Sequence, residues 1–158
     1  MTHNECRGYF IAKFSELEQV IDRYLARYFT IDSPVVEQEI IEVLIDRIPF
    51  ESKRTALKFL LDKKCEEDFL SKKYGNHKRN YKALLENIRK LAHTRNYFAH
   101  YQTMPFLQPD SRIGFIQYRD SAKVISFSEK EFDDLMKLIG RCNKDVREVL
   151  NQLEARAI

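Results

Sequence analysis

The side chains best placed to do chemistry together fall in one short run, Arg95-Asn96-Tyr97-Phe98-Ala99-His100. A guanidinium can hold two oxygens of a phosphate or carboxylate at once. A histidine ordinarily titrates near neutrality, so it can accept or donate a proton. Asn96 adds an amide beside the arginine, and His93 shares a face with His100 seven positions on, with Asn96 between them. At about 100° per residue, Leu84, Ile88, Leu91 and Arg95 fall within an arc of about 60°. Arg95 therefore interrupts an apolar stripe, where an unpaired charge costs several kcal/mol. Its plain explanation is a core ion pair, and that of His100 a favourable place at a helix C-terminus. Their combination on a helix rich in basic residues points instead to a ligand.

The elements that must position these residues are mainly amphipathic helices. Phe10, Phe14, Leu17, Ile21, Tyr24 and Tyr28 recur at alternating steps of four and three, predicting a helix over residues 5 to 29. Ser33-Pro34 offers an N-cap and first-turn proline for a second helix, which carries Val36, Ile40, Val43 and Leu44 and should end near Pro49. A third, over residues 51 to 64, carries Leu57, Leu60 and Leu61. The charged stretch 65 to 77 closes on Tyr74-Gly75-Asn76-His77, a break. The fourth helix, from about Lys78 to His100, has the stripe Tyr81, Leu84, Leu85, Ile88, Leu91 and Ala92. Pro105 and Pro109 forbid its continuation.

Alternating residues in 113 to 118 and 122 to 127, around Arg119-Asp120-Ser121, predict a β-hairpin. Ser128 with Glu131 forms a capping box that opens a last helix, with Phe132, Leu135, Ile139, Cys142, Val146, Val149 and Leu153 on one stripe. The first and last helices, both long, are expected to pack antiparallel as a spine. The expected fold is all-α: an up-and-down bundle of about five helices with a small β-hairpin insertion near 113 to 127, in one domain over residues 1 to 158.

Composition fits that reading. The chain has 158 residues, 44% hydrophobic and 32% charged, enough for a core without staples. No apolar run approaches the roughly 18 residues of a membrane span, and Met1-Thr2-His3-Asn4-Glu5 lacks the blocks of a signal peptide. Cys6, Cys65 and Cys142 are scattered and read as reduced thiols. A cytoplasmic location without membrane association is expected. The net charge of +3 is unevenly spread: residues 47 to 95 hold 14 Lys/Arg against 6 Asp/Glu. That middle third could face a phosphate backbone, although solvated helix surfaces explain it as simply.

Arg95-Asn96-x-x-x-His100, near the end of a late core helix, resembles the signature of the HEPN superfamily (higher eukaryote and prokaryote nucleotide-binding domains). The long first helix rich in Glu and Tyr and the closing amphipathic helix are similar too. The resemblance implies a metal-independent endoribonuclease acting as a toxin or in phage defence, with RNA as substrate and no cofactor. RNA carries its nucleophile in the 2′-OH. His100 would move a proton, Arg95 would hold the phosphate and stabilise charge in the transition state, and Asn96 would orient one of them. His93, Tyr97 and Tyr101 would contact substrate, and products would be a 2′,3′-cyclic phosphate and a 5′-hydroxyl.

Positions 95 and 100 lie about 140° apart on a straight helix. They converge on one phosphate only if the helix distorts near Ala99-His100 or a second subunit completes the site. The resemblance implies the second route, a homodimer with the two fourth helices near the twofold axis. One toxin–antitoxin branch of the superfamily has His-x-Tyr, its tyrosine modified by a nucleotidyltransferase antitoxin. Here tyrosine follows directly as His100-Tyr101, so an antitoxin or nucleotidyltransferase partner is an expectation but Tyr101 is not its expected target. The alternative is a non-catalytic HEPN-like nucleotide- or RNA-binding or dimerisation module, and a further one is an unrelated bundle with a structural Arg95.

Rival chemistries are weak. Gly8, Gly75, Gly114 and Gly140 are scattered and form no phosphate loop. His93 and His100 are seven apart, not the four of a helix-borne zinc pair, so no metal site is expected. Asp133-Asp134 reads as a solvated acidic first turn.

Overall fold

The computed structural model describes residues 1–30, 33–70, 81–104, 111–118 and 122–155. The Tyr74-Gly75-Asn76-His77 break, Lys78, Pro105, Pro109 and the Arg119-Asp120-Ser121 turn lie outside them. Five α-helices and a small antiparallel sheet make up the rest: α1 (His3–Phe29), α2 (Pro34–Val43), α3 (Phe50–Leu70), α4 (Lys82–His100), β1 (Gln102–Thr103), β2 (Ser111–Gln117), β3 (Lys123–Ser128) and α5 (Glu129–Glu154). A 3₁₀ turn, Ile45–Arg47, joins α2 to α3. No helix among the described residues is long and apolar enough to cross a membrane.

The two longest helices start on reciprocal caps. The Thr2 side chain accepts from the Glu5 amide while Glu5 accepts from the Thr2 amide, and Ser128 and Glu131 do the same for α5. These bonds hold the Glu5 and Glu131 carboxyls below their usual range. The α1 stripe is buried as its periodicity predicts, with Phe10, Leu17 and Ile21 fully inaccessible. Leu57, Leu60 and Leu61 of α3 and Phe132, Ile139, Cys142, Val146 and Val149 of α5 close the core around it. Burial pushes the Cys142 thiol up to about 11.

Contacts along α1 fix the directions of its neighbours. Phe14 meets Phe50, Asp22 meets Lys53 and the Lys63 ammonium lies over Tyr28, so α3 runs parallel to α1. Arg7 bonds Ala99 and Phe10 stacks on Phe98, while Phe14 lines one cleft with Ala92, so α4 runs antiparallel. At one end of α5 Phe132 shares a pocket with Met1 and Tyr9; at the other Glu154 pairs with Arg23 at 3.6 Å. Hence α1 and α5 pack parallel, not antiparallel as expected. The reason is parity: in an alternating series of five helices, the first and fifth point the same way.

Three further differences concern local structure. α3 continues to Leu70, through the start of the stretch expected to break it. α2 stops at Val43 and keeps only Ile40 of its predicted stripe against the core, leaving Val36, Val43 and Leu44 exposed. The hairpin gains a third strand: β1 pairs antiparallel with β2 through Gln102↔Ile116 and Thr103↔Phe115, giving the order β1-β2-β3. β2 and β3 pair from Gln117↔Lys123 to Ser111↔Ser128. The sheet thus takes over the chain within two residues of His100.

Candidate functional site

Phe98 anchors the segment that carries the candidate residues. It is fully buried and touches four other rings: Phe10 of α1 at 4.1 Å, Phe115 of β2 at 4.8 Å, Phe127 of β3 at 5.7 Å and Phe132 of α5 at 6.2 Å. Truncating such a hub costs about 3–5 kcal/mol in well-packed cores. Arg7 of α1 adds a polar tie, donating from Nη2 to the Ala99 carbonyl at 3.1 Å. A cation there satisfies a carbonyl that the helix end leaves open and suits the negative end of the helix dipole. Neither residue stands out by type, but periodicity finds both. Extending the stripe of α4 by seven from Leu91 reaches Phe98, and extending that of α1 back by seven from Phe14 reaches Arg7.

Arg95 is half-buried and lines a cleft of about 420 Å³ together with Phe14, Phe50, Glu51, Arg89, Ala92, His93 and Asn96. Its walls come from α1, the start of α3 and the flank of α4. Glu51 is the carboxylate of this cleft, and it is committed elsewhere: Arg54 donates to it from Nε at 3.0 and 3.1 Å and forms a further short contact from Nη2. Arg89 is likewise paired with Glu86 at 2.8 Å. No hydrogen bond or ion pair joins Arg95 to another described residue. The core ion pair that would explain Arg95 structurally is therefore absent among the described residues.

The remaining sequence-predicted residues sort onto two sides of α4. His93 and Asn96 are exposed and line the cleft with Arg95. His93, Tyr97 and Tyr101 form a ladder of rings one turn apart, with centroids 5.1 and 5.3 Å from one to the next. The Tyr97 hydroxyl and His93 Nε2 are 2.7 Å apart. Burial pushes the Tyr97 phenol up, and the neighbouring Tyr101 adds to it. His100 is exposed and does not line the cleft.

Of the two routes that could bring Arg95 and His100 together, helix distortion is not used. α4 stays regular to its last residue, with the Tyr101 amide donating to the Tyr97 carbonyl at 3.1 Å before the chain turns extended. One protomer therefore brings Arg95, Asn96 and His93 together and leaves His100 apart. A larger groove, about 700 Å³ between α1 and α5, has less to offer an anion. Its Lys13 is paired with Glu16 at 2.8 Å, its Arg147 bonds Asn143 at 2.6 Å, and the carboxylates of Glu16 and Glu148 line it beside Lys144.

No protein-family model matches this chain, and neither curated proteins nor solved structures give a significant match. The class stands on the fold alone: a mostly helical five-helix domain with a three-stranded antiparallel sheet between its last two helices.

Proposed function

We propose that the chain is a HEPN-like, metal-independent endoribonuclease whose active centre is completed by a second copy. The observation that carries this reading is Arg95: a half-buried guanidinium in an open cleft without a carboxylate partner among the described residues. A phosphodiester suits it, since two N–H donors can meet two non-bridging oxygens. The 2′-oxygen of the substrate attacks the adjacent phosphorus and the bond to the 5′-oxygen breaks. Products are a 2′,3′-cyclic phosphate and a 5′-hydroxyl. A histidine takes the 2′-OH proton or supplies one to the departing oxygen, and His100 fills one of these roles. Arg95 stabilises the charge on the phosphorane oxygens.

Because Arg95 and His100 of one protomer diverge, the His100 of each site comes from the partner, with the two α4 helices beside a twofold axis. The ring ladder at Tyr97 and Tyr101 then gives unstacked bases a place to rest. A role as a toxin or in phage defence, with an antitoxin as protein partner, accords with the same resemblance.

The test is cleavage of single-stranded RNA by the purified chain in EDTA, with product ends identified. Wild type should cut, while Arg95→Ala and His100→Ala should each slow cutting by about 10² or more. A second reading is favoured by the separation of His100 from the cleft: a non-catalytic module that holds a nucleotide phosphate at Arg95. It takes over if wild type never cuts but binds RNA or nucleotide, and Arg95→Ala abolishes that binding.

A further inference from the structure

The second helix is turned against its own sequence pattern. Val36, Ile40, Val43 and Leu44 share one face, and in the other amphipathic helices of this chain such a face is buried. In α2 only Ile40 of that face packs against the core, while Val36 is 42% exposed, Val43 59% and Leu44 57%, and Ile48 beyond the 3₁₀ turn is 38% exposed. Glu37 shares the inward side with Ile40 and Ile41 and is only 8% exposed. It accepts from Arg27 Nη1 at 3.1 Å and Arg23 Nε at 3.3 Å. These bonds between α1 and α2 set the rotation of α2, and they leave the aliphatic side chains of Val36, Val43, Leu44 and Ile48 partly in water, a grouping of the kind that marks interaction sites.

Charge identifies what fits there. Residues 34 to 48 carry Glu37, Glu39, Glu42 and Asp46 against a single base, Arg47. With Glu37 taken up by α1, the exposed carboxylates of Glu39 and Glu42 fall along one edge of the apolar stripe at about 100° per residue, and exposed Asp46 follows them. Two copies of α2 laid together would set these carboxylates against their own counterparts, and an anionic bilayer would repel them. A helix with an apolar stripe flanked by basic residues would bury the aliphatics and pair the carboxylates.

We propose that the outward face of α2 is a docking site for a basic amphipathic helix of a different protein. None of its residues lines the cleft at Arg95, so the inference is independent of the ribonuclease reading.

The probe is a labelled helical peptide of roughly 18 residues with leucines on one face and lysines on both flanks, titrated into the intact chain beside a glutamate-flanked twin. The lysine peptide should bind saturably, about tenfold or more tighter than its twin, and should protect amides 35 to 48 from hydrogen exchange. Val36→Asp/Val43→Asp should weaken it by about tenfold or more; Leu44→Lys serves the same purpose should the double variant melt early. Equal binding of both peptides, binding untouched by these variants, or protection elsewhere overturns the proposal. So does a dimer of the chain that the same variants dissociate, because the face would then belong to a second copy.

Discussion

Lys53 and Arg95 are both cations set among leucines on helices that pack against α1, yet their surroundings are opposite. Lys53 lies one turn before Leu57, is 3% exposed, and donates to Glu18 at 2.8 Å and Asp22 at 2.9 Å. Arg95 lies one turn after Leu91, stays half-buried, and faces an open cleft whose carboxylate is taken by Arg54. The fold supplies two carboxylates for the cation it encloses and none, among the described residues, for the one it leaves at a cleft wall. Desolvation explains the difference. A buried ammonium must be fully compensated, whereas a guanidinium with access to water can await an external anion. A cation on an apolar stripe thus signals a site only where its partner is missing.

The largest expected effect is at Lys53. Lys53→Ala leaves Asp22 buried without its cation and should destabilise the chain by about 3–5 kcal/mol in chemical denaturation. A loss below about 1 kcal/mol would mean that the cluster contributes little to holding α3 on α1.

Alkali probes the same contact more gently. Burial pulls the Lys53 ammonium down, but the bonds to Glu18 and Asp22 outweigh it and hold it above its usual value. For Asp22 burial wins, and its carboxyl rises despite Lys53. Two carboxylates around one lysine favour its charged form. A lysine raised on folding contributes stability that is complete below about pH 10.4, its unfolded value, and is lost as pH climbs through the folded one. Wild type should therefore lose stability relative to Lys53→Arg as pH rises past that point, in parallel melting curves. Curves that stay parallel would place the alkaline loss at other groups.

The smallest effect is expected at Arg95, where no internal bond is lost. Arg95→Ala should change folding stability by no more than about 0.5 kcal/mol while abolishing the RNA binding proposed for the cleft. A large destabilisation would turn Arg95 into a second Lys53 and remove the contrast.

Much of the frame was readable in the residues. The four-and-three spacing of Phe10 to Tyr28, the Ser128–Glu131 box and the alternation at 113 to 118 each encode an element locally, and each is present. What was not readable depends on partners distant in sequence. The rotation of α2 is set by Glu37 meeting Arg23 and Arg27, against the pull of its own valines. β1 is two residues long and exists because β2 offers an edge to Gln102 and Thr103.

At the candidate site, Arg95 could be picked out as an anomaly on a stripe, with Asn96 beside it and His93 on the face of His100, and Arg95, Asn96 and His93 line one cleft. The anchoring of their helix by Phe98 and Arg7 comes from rings and a carbonyl that only the folded chain brings near. The divergence of Arg95 and His100 was legible from helix geometry, and the regular end of α4 keeps it.

That divergence makes subunit mixing the most direct measurement. Arg95→Ala and His100→Ala chains, each inactive alone on RNA in EDTA, are unfolded together and refolded as a mixture. Each mixed dimer rebuilds one composite site from the intact Arg95 of one chain and the intact His100 of the other, so cleavage should return to about a quarter of the wild-type rate for a twofold assembly. A mixture as inactive as its components, beside a wild type that cuts, would contradict a site shared between two copies.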